Sequence, residues 1–231
     1  ELICFFIGVA MTFNSQKKTV GALADHYLSV RSQSLQICAP LELEDYQIQP
    51  MVDASPPKWH LAHVTWFFET FLLKPFCRNY RVFDSSFDNL YNSYYNGVGN
   101  PFNRRSRGFL SRPTLSRVIE YRQHVDEHML RLIESLDAEE LSFRVHLGLN
   151  HEQQHQELIV TDIKNNLGNN PLRPKYLDHE LESSLEAPVN WVEFEGGLLE
   201  SGSDSGRNFV FDNETPRHQV FLQPFMLSTN L

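Results

Sequence analysis

Cysteine is scarce in this chain of 231 residues: only Cys4, Cys38 and Cys77 occur. They lie far apart and form no C-x-x-C pair, which argues against a disulfide framework or a thiolate zinc site and fits a reducing cytoplasm. Positive charge is also in deficit. Lys and Arg number 20 against 29 Asp and Glu, a formal net charge of −9. That argues against a nucleic-acid partner or an anionic membrane surface. Long apolar runs are missing too. Residues 1–10 are apolar but too short to span a bilayer. They lack the basic residues and small-residue cleavage site of a signal peptide. The first residue is not Met, and Met11 opens a more ordinary stretch, so residues 1–18 are set aside as an N-terminal extension. There is no internal repeat and no low-complexity tract.

What is present is ordinary core material: 41% hydrophobic residues, including 17 Phe, 8 Tyr and 3 Trp. Leu23, Tyr27, Val30 and Leu35 recur at helical spacing and predict a helix over 19–37, ended by Pro40. Ser55-Pro56-Pro57 predicts a helix start, with Ser55 as cap, and Pro75 its stop. Residues 76–112 read as a long connection, whose aromatics (Phe83, Phe87, Tyr91, Tyr94, Tyr95, Phe102) predict ordered cover rather than disorder. Thr114 is the expected cap of a third helix, to about Leu136. A fourth is expected over about Ser142–Leu167, with Gly168 as its stop. Four helices with one long crossover predict a mainly α chain built on a four-helix bundle, residues 19–168.

The pattern changes after Asn169. Residues 169–189, rich in Pro and acidic side chains, read as a linker. From residue 190 the runs 191–200, 208–211 and 219–222 alternate like short strands. A β-containing unit that begins this late has few residues with which to bury a core. The expectation is therefore the front part of a longer protein.

The most informative segment is His151-Glu152-Gln153-Gln154-His155. Two histidines at i and i+4 share a helical face and can reach one ion. The letters match H-E-x-x-H, the zinc-protease signature in which Glu is the general base. The neighbouring sequence lacks what a protease needs. One class continues with Gly and a third His, but Leu158 and Thr161 stand at those positions. The other takes a downstream Glu, but residues 167–175 hold no carboxylate. A third ligand from another helix is then required. His60 and His63, in Trp59-His-Leu-Ala-His63, both qualify by residue type, and periodicity does not choose between them, although His63 lies on an apolar face with Trp59, Trp66 and Phe67.

Ser55-Pro-Pro-Lys-Trp-His-Leu-Ala-His63 with Trp66-Phe-Phe-Glu69, together with His151 to Glu157 and Thr161-Asp162, resembles the sulfoxide synthases of ergothioneine biosynthesis. That family joins a DinB-like helical bundle to a domain similar to the formylglycine-generating (sulfatase-modifying) enzyme. The tail, Phe194-Glu-Gly-Gly197 and Phe211 to His218, is similar to the opening of that second, α+β domain, here residues 190–231.

The resemblance implies an iron(II) cofactor held by His63, His151 and His155. It implies that hercynine, a thiol (cysteine or γ-glutamylcysteine) and O₂ react to give a sulfoxide-linked conjugate. Arg104 and Arg107 of the long connection correspond to arginines that contact the thiol substrate. Glu152 becomes a residue behind the ligands or on the helix surface, with no catalytic role. The catalytic tyrosine of the family belongs to the second domain, so no catalytic residue is assigned within this chain. Two other readings compete: a DinB-like metal-dependent thiol transferase that uses no O₂, and a non-catalytic metal-binding module.

Overall fold

The computed structural model describes residues 20–95, 97–135, 139–178, 188–204 and 209–229. They fall into two compact units, one within Gln16–Leu177 and one within Asp178–Leu231.

The first unit is mainly helical. Four long helices are α1 (Val20–Cys38), α2 (Pro57–Phe68), α3 (Leu115–Glu134) and α4 (Glu139–Asn169). Helix α2 packs against α3 and α4, and α1 packs against the same two. All twelve residues of α2 are buried, the pattern of a helix enclosed on every side rather than a surface helix. Tyr27, Leu61, Phe68, Leu72, Met129, Ile133 and Leu149 are among the side chains that fill the core.

The helix ends differ from expectation in instructive ways. Ser55 does not cap α2, because its hydroxyl accepts from Arg107 instead. Pro75 does not stop the helical path. Beyond α2 the chain widens into a π turn, Glu69–Leu73, in which the Lys74 N–H reaches the Glu69 carbonyl, and a short helix Lys74–Phe76 follows. The wider turn absorbs a proline that has no N–H to give. Gly168 is likewise not the stop of α4. The helix runs one residue further, and Asn170-Pro171 takes the chain out. Thr114 does cap α3, its Oγ1 accepting from the Arg117 N–H at 3.3 Å.

The crossover between the helical turn at Lys74–Phe76 and α3 is ordered cover. It contains a short helix, Phe87–Leu90, and a 3₁₀ turn, Arg104–Phe109. Phe83, Phe87 and Tyr121 pack ring on ring, and Glu69, fully buried, accepts from Tyr80 Oη, Tyr121 Oη and the Phe83 N–H.

The second unit holds four short strands in two antiparallel pairs. β1 (Trp191–Phe194) pairs with β4 (Phe225–Ser228), Trp191 opposite Ser228. β2 (Gly197–Ser201) pairs with β3 (His218–Leu222), Gly197 opposite Leu222. The alternation over 191–200 is thus two strands and not one. The break falls at Gly196, whose φ of +74° favours glycine and whose Cα faces the Leu222 carbonyl so closely that a Cβ would sit 2.4 Å from its oxygen. The expected strand 208–211 is corrected as well. Asn208 lies outside the described residues, and Phe209–Phe211 form no strand, because Phe211 leads into a 3₁₀ turn, Asp212–Glu214, tied by Glu214 Oε2 to the Phe211 N–H.

Among the described residues no helix is long and apolar enough to cross a membrane.

Candidate metal centre

Helices α2 and α4 must lie close to bring three histidines together, and Gly148 permits it. A Cβ at this position would stand 2.5 Å from the Phe68 ring and 3.1 Å from the Phe67 ring. Three residues on, His151 and His155 face α2 from successive turns of α4. His63 meets them from α2. One potential ligand atom from each of His63, His151 and His155 lies within 4.8 Å of the other two. The ring centroids are 5.1 Å (63–151), 4.7 Å (63–155) and 4.6 Å (151–155) apart. These are the three histidines that the resemblance implied, and the group could hold a metal ion.

The surrounding hydrogen bonds separate the two histidines that periodicity left open. His63 Nδ1–H donates to the Tyr91 carbonyl at 2.6 Å, which leaves Nε2 with its lone pair free. His60 instead stands behind His155, Nδ1 to Nδ1 at 2.8 Å, with its Nε2 3.0 Å from Asp162 Oδ2. Around His63 the walls are aromatic: Trp59 stacks on it at 4.6 Å and 12°, and Trp66 at 5.8 Å and 17°.

The donor set fits a transition metal. Burial pushes His63 and His155 well below the usual histidine range, with neighbouring histidines adding to the effect. Burial pushes His151 down to about 4, against the opposing charge of Glu152. All three are therefore neutral at pH 7, the form that binds metal. His151 Nδ1 is buried without a hydrogen-bond partner among the described residues, a cost that coordination through that nitrogen would remove. Three imidazoles suit iron, zinc, copper or nickel alike, so the donor set alone does not select the metal.

Residues 26–159, more than half of the chain, match the DinB superfamily. The chain belongs to the DinB superfamily. No curated protein matches the chain. DinB-like domains bind metal ions and are often metal-dependent enzymes, and the matched segment contains all three histidines of the cluster.

In this DinB domain Glu152 is neither a protease base nor a helix-surface residue. It is fully buried, and both carboxylate oxygens are engaged. Oε1 accepts from Ser34 Oγ at 2.6 Å and Arg122 at 3.0 Å, and Oε2 accepts from Arg31 at 2.9 Å. Burial raises its pKa, but Arg31 and Arg122 outweigh this and hold it below the usual carboxylate range. Arg31 also reaches Asp126 at 2.7 Å, which in turn accepts from Tyr27 Oη. The network joins α1, α3 and α4 at the residue beside His151. Sequence reading missed Arg31 and Arg122, since two arginines in amphipathic helices carry no local signal that they point inward.

The two arginines singled out from the sequence separate in the structure. Arg107 is buried, its guanidinium carbon 3.3 Å from the centre of the Trp59 ring. It donates to Ser55 Oγ at 2.9 Å and Ser93 Oγ at 3.0 Å, and its Nε has no partner. No carboxylate among the described residues forms an ion pair with it. Burial, aided by Arg104, pushes its pKa down to about 9, so it stays charged at neutral pH. Arg104 is half-buried and donates to Tyr94 Oη at 3.2 Å and to the Asp53 carbonyl.

Proposed function

We propose that this DinB domain is the metal-binding part of an iron(II)-dependent sulfoxide synthase that joins a cysteine-type thiol to hercynine with O₂. The observation that carries the proposal is the pairing of a neutral three-histidine cluster with a buried arginine, one aromatic ring away, that forms no ion pair among the described residues. Trp59 stacks on His63 and lies under Arg107. The rest of the support is the sequence resemblance, which spans both units.

Iron(II), when bound by His63, His151 and His155, would supply O₂ activation and ease ionisation of the thiol. The overall change balances: the imidazole C–H and the thiol S–H lose their hydrogens, a C–S bond forms, and O₂ gives one oxygen to sulfur and one to water.

The chain's own residues bind and orient. Arg107 uses two of its five N–H donors on Ser55 and Ser93, so three remain for a substrate carboxylate. A desolvated guanidinium that has no ion pair among the described residues, and on which Asp162 acts by charge alone, favours an anion. Arg104, with only neutral partners, adds to the same positive region. Trp59, Trp66, Phe67, Phe71 and Tyr95 pack ring on ring beside His63 and His151, which limits water there.

The test loads the intact protein anaerobically with iron(II), supplies hercynine, O₂ and either cysteine or γ-glutamylcysteine, and follows the product by mass spectrometry. A conjugate with one thiol supports the reading and names the donor. No conjugate with either thiol, with iron bound and O₂ present, overturns it. Metal-dependent thiol transfer without O₂ consumption would then be the reading to take up.

A further inference from the structure

A row of hydrogen bonds runs away from the metal cluster behind His155. Asp162, two turns along α4 from His155, has one oxygen, Oδ2, at which two donors converge: the Ser55 N–H at 2.8 Å and His60 Nε2 at 3.0 Å. His60, 3% exposed, turns its other nitrogen to His155, Nδ1 to Nδ1 at 2.8 Å.

The proton positions along this row follow from elementary bonding. An ionised carboxylate only accepts, so His60 carries its proton on Nε2. A neutral imidazole has one N–H, so His60 Nδ1 is a bare acceptor. Two ring nitrogens at 2.8 Å share one proton, and it therefore belongs to His155 Nδ1. His155 is left with its lone pair on Nε2, the same state that the Tyr91 carbonyl imposes on His63.

We propose that His60 and Asp162 are positioning residues: through this row they hold the proton on His155 Nδ1 and keep Nε2 bare for the metal ion. The proposal rests on the reading of the three histidines as a metal site. Partners behind a ligating histidine fix its tautomer and ring orientation, and their loss costs about 10- to 100-fold in metal affinity. Here the carboxylate acts through a second imidazole, so His60, the histidine next to the ligand helix face, works without touching the ion.

Two substitutions separate this role from simple packing. Asp162→Asn keeps an oxygen at the point where Ser55 N–H and His60 Nε2–H converge. Asp162→Ala removes it and frees His60 to place its proton on either nitrogen. The measurements are the ¹⁵N pattern of the histidine rings in the metal-free protein and the affinity for cobalt(II) by chelator competition. Expected are an Nδ1–H His155 in the parent and in Asp162→Asn, with cobalt affinities within about threefold. For Asp162→Ala a mixed His155 tautomer and an affinity lower by about tenfold or more are expected. A purely structural bond would lower the melting temperature of Asp162→Ala and leave the tautomer unchanged, which would overturn the proposal. So would an Nε2–H His155 in the parent, a result that stands even if Asp162→Ala does not fold. A parent that takes up no cobalt sinks the metal reading and this inference together. A parent that takes up cobalt with His155 protonated at Nε2 sinks this inference alone.

Discussion

His63 Nδ1 lies 2.6 Å from the carbonyl oxygen of Tyr91 and donates its proton there. The bond ties the buried helix α2 to the crossover segment. It also decides which nitrogen of His63 can face His151 and His155. A backbone carbonyl cannot be protonated or rotated away, so the orientation does not depend on another side chain.

Replacing His63 by Ala should therefore abolish stoichiometric metal binding while the chain still folds. Two imidazoles from one helix remain, and they bind an ion far more weakly than three converging ones. Metal content of the purified variant, measured against the parent, checks this. One equivalent lost supports the ligand role, and unchanged content would make His63 a core histidine only.

Glu152 gives a prediction of stability. Glu152→Ala leaves Arg31 and Arg122 as buried cations with one counter-charge fewer, a change that costs about 3–5 kcal/mol. Because Glu152 follows His151 directly, the metal site should loosen with the fold. Denaturant unfolding of the metal-free variant measures the cost. A loss under about 1 kcal/mol, the range of a surface pair, would mean that the network contributes little.

Much of this arrangement was legible in the sequence, and its limits are physical. Histidines at i and i+4 announce a shared face, so His151 and His155 were readable, and the resemblance pointed to His63. The choice against His60 was not readable from periodicity. Residues three apart on a fully buried helix are both inside, and only the Tyr91 carbonyl and Asp162 tell them apart. Capping chemistry identified Thr114, but Ser55 broke the rule because a distant arginine took its hydroxyl. Pro75 broke the stop rule because the preceding turn widened. The inward turn of Arg31 and Arg122 depends on contacts 30 to 121 residues away in sequence, beyond any local pattern.

Gly148→Ala should disturb the metal site without touching a ligand. The new methyl would meet the fully buried Phe68 ring at 2.5 Å, so α4 and α2 must part or the ring must leave its rotamer. Overpacking of this kind costs about 1–3 kcal/mol. Metal affinity should fall as well, since His63 and the α4 histidines sit on the two helices being separated. A variant with parental melting temperature and affinity would show that Phe68 yields freely.

The metal-free protein should be sensitive to mild acid. Buried His63, His151 and His155 resist protonation in the folded state, His151 until about pH 4, whereas in the unfolded chain they titrate near ~6.5. Below that pH the unfolded state takes up protons that the folded state does not. Stability is then full above about pH 6.5 and falls as the pH drops, by up to about 1.4 kcal/mol per pH unit for each histidine. Melting temperatures of the chelated protein between pH 8 and 5 should be level at first and then decline. A level curve down to pH 5 would contradict the burial of three neutral imidazoles.

Arg107 offers the test that bears most directly on substrate. Its role requires charge, the planar fork of donors and the stack on Trp59 together. Arg107→Lys keeps only the charge, so it is the informative change, while Arg107→Ala also strands the hydroxyls of Ser55 and Ser93 in a buried site. A hydrogen bond between a guanidinium and a carboxylate contributes about 1.5–3 kcal/mol, so Arg107→Lys should raise KM for the thiol by roughly 10- to 100-fold. Metal content should stay at one equivalent, because Arg107 makes no hydrogen bond to the histidines among the described residues and meets them across the Trp59 ring, through its charge and, by way of Ser55, through Asp162. The comparison that decides is KM for the thiol against KM for hercynine in the same variant. A selective rise for the thiol places its carboxylate at Arg107. Equal rises for both, or a parallel loss of metal, would make Arg107 a structural cation that pins the crossover segment to α2.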